Sequence, residues 1–211
     1  MDAVLSAVFI LLGWSLGLLS PRIVEIIQRP YRRDELRRSL FLELEGLRIT
    51  LAAYIFTHAG NSGTIDNKLL QLIEPILRTD KIFPEVQGVA DAVKSLSGYT
   101  DERLATLKIL TRNKGGLNLR KFQLPFLTSQ LSSLYLFTPE FQRVALKICS
   151  RVAVINEEVE RAMFSYQKAF DAPSSVSHAI LVTNLDQSHQ SVAIICRPLI
   201  DDINLLLSMK K

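Results

Sequence analysis

An uncharged, apolar run occupies residues 3–21 of this chain. As an α-helix it would extend roughly 28 Å, close to the thickness of the hydrocarbon core of a bilayer. A cleaved signal peptide would instead require basic residues ahead of the run and a small-x-small cleavage site after it, and neither pattern is present. The run therefore predicts a transmembrane anchor at residues 1–21, with a buried core helix as the alternative.

The charges that flank this run are distributed unequally. Asp2 precedes it, whereas the arginines that follow it closely are Arg22, Arg29, Arg32, Arg33, Arg37 and Arg38. Because basic residues beside a span are retained in the cytoplasm, we expect the N-terminus outside and the body in the cytoplasm, at a bacterial inner membrane. Residues 22–38 are expected to form a basic juxtamembrane arm that contacts lipid headgroups of the bilayer, and nucleic acid is the competing ligand.

Small residues cluster on one side of the predicted span. At roughly 100° per residue they fall within an arc of roughly 140°, and they are Ala3, Ser6, Ala7, Gly13, Gly17 and Ser20. Gly13 and Gly17 form a small-xxx-small pair at the centre of this arc, a spacing that lets two helices approach closely in lipid. Ile10 and Trp14 share the arc, so the face is mixed. The pattern predicts that spans associate and that the protein is a homo-oligomer.

The segment from Gly13 to Gly17 also matches the G-x-S-x-G pattern of a hydrolase nucleophile, with Ser15 at its centre. Such a nucleophile needs a sheet built upstream, an oxyanion-hole loop and later strands that deliver an acid and a histidine. Too few residues precede Ser15 for that sheet, and no parallel-strand pattern follows it. We therefore reject a hydrolase site.

Residues 39–211 are predicted to form a single helical cytoplasmic domain. Pro30 is expected to kink or end the first helix, because proline removes a helical donor and clashes with the preceding turn. Apolar residues then recur every three or four positions from Leu36 to Ile55, which is typical of an amphipathic helix. A loop is predicted at residues 60–63.

Shorter helices are predicted after that loop. Thr64 is expected to cap the first of them, Pro84 to begin the second and Thr100 to cap a third. A further short helix is predicted after Pro125.

Two long helices are predicted to complete the chain. Thr138, Pro139 and Glu140 combine a capping hydroxyl, a proline at the first helical position and an acid in the first turn, so a helix of about thirty residues should begin there. The last helix is expected from about Val176 toward Met209, and the short turn between the two favours antiparallel packing. The predicted fold class is all-α, with one N-terminal transmembrane helix and a multi-helix bundle.

The sequence offers no arrangement of residues that is typical of catalysis or of cofactor binding. His178 and His189 lie too far apart on one helix to share a metal ion, at roughly 16 Å. The adjacent acids Asp201 and Asp202 point in different directions on a helix, and we interpret them as solvated. Cys149 and Cys196 suit a reducing compartment and are too few for a disulfide framework. We therefore predict no catalytic residues, no metal and no cofactor.

Two classes of function remain. The first is a non-enzymatic membrane protein that oligomerises, binds copies of itself or a cytoplasmic protein partner, and acts as a scaffold or regulator. A narrower form is a membrane effector whose assembled spans open a pore, as in some bacterial anti-phage systems. The second class is a divergent helical ribonuclease or nucleic-acid-binding protein tethered by its arginine arm, although the R-x4-6-H signature of helical ribonucleases is missing.

Overall fold

The computed structural model describes the backbone of residues 2–78, 83–100, 102–104, 106, 120–170 and 175–209. Within these ranges it leaves aside the side chains of 2–7, 12, 16, 18–23, 25–26, 169–170 and 175–178.

Every regular element in these ranges is helical, which confirms the all-α fold class. The helices are α1 (Asp2–Ser62), α2 (Asn67–Leu77), α3 (Pro84–Leu96), α4 (Pro125–Ser129), α5 (Pro139–Phe170) and α6 (Ser175–Ser208), with a 3₁₀ helix at Leu131–Leu136 between α4 and α5. Most of the helix predicted after Thr100 lies outside the described residues.

Helix α1 is continuous over 61 residues, so it does not end at Pro30, and the prediction of a helix end there is wrong. A proline inside a helix removes one backbone hydrogen bond and strains one turn. Packing on both sides of Pro30 compensates, because Arg29 stacks on the ring of Tyr135 and Arg37 stacks on the ring of Phe137, each at 5.8 Å from the ring centroid. The same helix therefore runs from the apolar run through the arginine arm and into the body.

Gly63 ends α1 in the left-handed conformation, with φ 65°. Its amide donates to the Gly60 carbonyl and the Thr64 amide donates to the Ala59 carbonyl, at 3.2 and 2.8 Å, which satisfies carbonyls at the helix end. The predicted cap at Thr64 is wrong. Asp66 caps α2 instead, because its carboxylate accepts a hydrogen bond of 2.7 Å from the Leu69 amide.

The core of the body is built around the second half of α1. Leu44, Leu51 and Ala52 of this helix are fully buried, and they pack among apolar side chains from the other helices of the body. The apolar repeat identified in the sequence therefore faces this core, as predicted.

Helices α5 and α6 form a long antiparallel hairpin, as predicted, and α5 begins at Pro139. Asp202 on α6 is buried and not solvated, which corrects the sequence-based interpretation. Its carboxylate forms ion pairs with Lys147 at 2.8 Å and with Arg151 at 2.6 Å, both on α5. Arg151 also donates a hydrogen bond to the carbonyl of Pro198. These contacts fix the register of the hairpin.

Two polar side chains hold the irregular segment before α5 in place. Glu43 of α1 accepts hydrogen bonds from the amides of Phe126 and Leu127, at 2.7 and 2.9 Å, and so caps α4 from a distant helix. Asn156 of α5 accepts from the amide of Phe122 and donates to its carbonyl, at 2.9 and 2.8 Å. The connection is therefore pinned to both long helices.

Candidate functional site

The apolar run lies in the N-terminal part of α1, and every side chain described there is exposed. Val8 is exposed, and Phe9, Ile10, Leu11 and Trp14 are among the most exposed large apolar residues that the structure describes. Successive helical residues are rotated by roughly 100°, so residues 8–11 point to all sides of the helix. In water this arrangement would leave an apolar rod uncovered.

The structure describes only part of the predicted small-residue face. Gly13 and Gly17 are exposed, and a Cβ added to either would meet no atom within 4 Å. The side chains of Ala3, Ser6, Ala7 and Ser20 lie outside the described residues. The two glycines are therefore accessible, and this chain alone would accommodate larger side chains there.

Within the residues that the structure describes, no helix is both long enough and apolar enough to cross a membrane.

The arginine arm does not form a uniform basic surface. Arg29 and Arg37 stack on aromatic rings of the body, and Arg29, Arg32 and Arg38 are exposed. Arg33 is half-buried and lies 3.6 Å from the carboxylate of Asp34. The side chain of Arg22 lies outside the described residues. Some arginines therefore attach α1 to the body, and others remain accessible to an anionic surface.

A cluster of rings between α1 and α6 was not found by sequence reasoning. The hydroxyl of Tyr54 lies 3.3 Å from Nδ1 of His189 and 3.4 Å from the His189 carbonyl. His58 stacks on both rings, with centroids 6.3 Å from Tyr54 and 6.4 Å from His189. Tyr54 and His58 are one helical turn apart, but nothing in the sequence indicated that His189 would join them.

Burial determines the protonation of this cluster. Desolvation lowers the pKa of His58 and of His189, and for His189 the nearby His58 lowers it further, while the carboxylate of Asp186 opposes the shift at both histidines. Nδ1 of His58 is buried and has no hydrogen-bond partner among the described residues. The cluster is therefore stable when both imidazoles are neutral.

The thiols of the body are protonated. Burial raises the pKa of Cys196 to about 12, and burial together with the charge of Glu43 raises the pKa of Cys149. Since the thiolate is the nucleophilic form, neither cysteine is activated.

The polar groups of the described body form no recognisable metal or catalytic centre. No group of three or more potential ligands is close enough to hold a metal ion in the described part of the chain. An open groove of about 570 Å³ between α5 and α6 is lined by Glu158, Glu160, Arg161, Phe164, Ser165, Asn184, Gln187, Ser188 and Ser191. Arg161 in this groove forms an ion pair with Glu158 at 2.8 Å, and no histidine or cysteine is among the residues that line the groove.

Comparison of the chain with protein-family models, with curated proteins and with solved structures found no match.

Proposed function

We propose that this protein is a single-pass, membrane-anchored helical protein without enzymatic activity, which oligomerises through its N-terminal helix and acts as a scaffold or regulator at the bacterial inner membrane. Its helical body faces the cytoplasm and binds further copies or a cytoplasmic protein. The narrower form is a membrane effector, in which the assembled N-terminal helices perturb the bilayer.

The observation that carries this proposal is the apolar surface of the first part of α1. A helix that is apolar on all sides needs a cover of protein or lipid, and its exposed residues here include Phe9, Ile10, Leu11 and Trp14. The run has the length of a bilayer core and carries no charge. A lipid bilayer would bury an apolar surface on all sides of a helix, and its hydrocarbon core has the length of this run.

The position of the two exposed glycines supports oligomerisation. Leu40 lies 27 residues after Gly13 and Leu51 lies 34 residues after Gly17, so at roughly 100° per residue each leucine points roughly half a turn away from its glycine. Both leucines are buried in the body. The glycine side of α1 therefore faces away from the body, and two helices can meet there without a clash between bodies.

The polar groups that join helices of the body support a structural role. Asp202, Glu43 and Asn156 are each engaged with a neighbouring element through ion pairs or hydrogen bonds. Groups engaged in this way stabilise the arrangement of helices and are not positioned to act on a substrate.

Carbonate extraction tests the anchor. Membranes from cells that express the full-length chain are washed at high pH, and we expect the protein to remain in the pellet. Release into the soluble fraction would contradict the proposal. Protease added to spheroplasts should leave the body intact, and cleavage of the body from outside would reverse the proposed orientation.

Leucine substitutions test the assembly. The Gly13→Leu/Gly17→Leu variant should reduce the mass measured by light scattering in detergent to that of a monomer, because close helix approach is lost. Ser15→Leu is the matched control, since it adds similar bulk roughly half a turn away and should leave the oligomer intact. Equal masses for both variants would contradict assembly through this face.

The competing function, a tethered ribonuclease or nucleic-acid-binding protein, is tested by RNA binding. Binding by the full-length protein in detergent is measured at increasing salt concentrations. We expect no binding that weakens steeply with salt, because the exposed arginines Arg29, Arg32 and Arg38 are proposed to contact lipid headgroups. A steep slope would favour a nucleic-acid ligand instead.

A further inference from the structure

The 3₁₀ helix Leu131–Leu136 lies beside the arginine arm. Tyr135 of this helix contacts Arg29, and the following Phe137 contacts Arg37. Among the described contacts of α1 with the body, the Arg29 contact is the nearest to the apolar run. The 3₁₀ helix is therefore at the end of the body closest to the proposed membrane.

The 3₁₀ helix carries an exposed apolar residue at its start and an exposed tyrosine near its end. Leu134 and Leu136 are buried against the body, whereas Leu131 is 40% and Tyr135 is 55% exposed. The exposed pair consists of an aliphatic side chain and a tyrosine, and the tyrosine ring is stacked with an arginine. Tyrosine beside arginine is typical of the boundary between lipid and water.

The pair lies a short distance along α1 beyond the apolar run. Exposed apolar side chains of α1 continue to Val24 and Ile27, and Arg29 is only two residues further, a rise of about 3 Å. The headgroup layer extends about 5 to 7 Å beyond the hydrocarbon core on each side. With the hydrocarbon core ending at Pro21, Arg29 lies eight residues, about 12 Å, further along α1. A tilt of α1 toward the 3₁₀ helix, which is common for membrane spans, brings the ring of Tyr135 toward the headgroup layer.

The charge of the neighbouring surface favours one kind of bilayer. Arg32 is exposed and Arg29 and Arg33 are adjacent to it. Clustered basic residues beside a span attract anionic lipids. The surface therefore fits a bilayer that contains anionic headgroups.

We propose that Leu131 and Tyr135 form a second membrane contact, which inserts into the headgroup layer of an anionic bilayer and holds the body against the membrane. This inference rests on the proposed anchoring of α1. It adds a specific orientation, with the 3₁₀ helix toward lipid and the C-terminal end of α5 away from it.

Tryptophan fluorescence tests the contact, because Trp14 is the one tryptophan of the chain. In a Trp14→Phe background, Tyr135→Trp places the probe at the proposed contact. Tyr166→Trp is the matched control, since Tyr166 is also 55% exposed but lies near the C-terminal end of α5. Both full-length proteins are reconstituted into phosphatidylcholine vesicles with and without phosphatidylglycerol, and quenching by lipids brominated near the glycerol backbone is measured.

We expect quenching of the probe at position 135 to exceed that at position 166 by about twofold or more, and to increase when phosphatidylglycerol is present. Equal quenching at the two positions would overturn the inference. A Leu131→Ser/Tyr135→Ser variant should keep its helical circular dichroism and lose the protection of residues 131–136 from hydrogen exchange that vesicles provide. Unchanged protection would also overturn it.

These results are distinguishable from failure of the anchor. A protein that resists carbonate extraction but shows equal quenching at both positions retains the proposed function and loses only this contact. A protein that is extracted by carbonate loses both.

Discussion

At the scale of single residues, the stability of the body depends on a few buried polar groups that join distant helices. The side chain of Asp202 is only 9% exposed and binds two cations of α5. The Tyr54, His58 and His189 cluster joins α1 to α6 through neutral rings. Each arrangement predicts a specific response to substitution or to pH.

Replacement of Asp202 by alanine should destabilise the body by about 2 kcal/mol, because Lys147 and Arg151 lose the carboxylate that they share. The free energy of unfolding in urea measures this. Glu160→Ala is the control, since its pair with Lys121 at 2.5 Å is exposed and should contribute less than about 1 kcal/mol. Equal effects of the two substitutions would show that the ion pairs of Asp202 do not stabilise the hairpin.

Acidification should destabilise the body through His58 and His189. The pKa of each histidine is lowered in the folded state, so the unfolded chain binds protons first as the pH falls below about 6.5. Stability is therefore unaffected by these groups above that pH and is lost as the pH falls toward the folded pKa values. The urea midpoint measured between pH 7.5 and pH 5.5 should decrease.

The His58→Phe/His189→Gln variant provides the control for this pH dependence. It keeps a ring at position 58 and a hydrogen-bonding side chain at position 189, but neither replacement titrates. The decrease of the urea midpoint on acidification should be clearly smaller in this variant. The same decrease in both proteins would assign the effect to other groups.

At the scale of elements, the end of α1 depends on Gly63 and the hydrogen bonds around it. Because its φ is positive, Gly63→Ala should cost about 1 kcal/mol. Gly60→Ala is the matched control, since Gly60 is helical and an added Cβ would lie 3.8 Å from Ile65, an ordinary contact. That substitution should stabilise the helix by up to about 1 kcal/mol. Thermal unfolding of the two variants should therefore shift in opposite directions.

The sequence predicted the elements where local signals and packing agree. Pro84 and Pro139 begin helices as expected, since proline at the first helical position loses no hydrogen bond. The sequence around Pro30 likewise indicates a helix boundary, but Pro30 lies inside α1. Aromatic rings that are distant in sequence contact Arg29 and Arg37 and stabilise the turns around it. Only the tertiary structure distinguishes these prolines.

The ring cluster shows the same limit for the candidate site. His58 and His189 belong to different helices, and their approach depends on how α1 crosses α6. The spacing of apolar residues and the capping residues each describe one helix at a time. They contain no information on how two helices cross. The surface of the apolar run, by contrast, could be predicted because it depends on composition alone.

At the scale of the whole molecule, α1 should behave as a single rigid rod. Trp14 and Thr50 are exposed, and 36 residues of helix between them correspond to about 54 Å. Spin labels on cysteines at these positions, with Cys149 replaced by alanine, should give one narrow distance distribution near that value. A broad or shorter distribution would show that the helix bends between the two labels and would contradict the single rod.

An uninterrupted helix also transmits rotation. If one alanine were inserted after Gln28, everything beyond it would turn by about 100° and advance by about 1.5 Å relative to the apolar run. Inserting seven residues would nearly restore the original azimuth and lengthen the stalk by about 10 Å. The direction in which the body faces relative to the apolar run is thus set by the number of helical residues between that run and the packed end of α1.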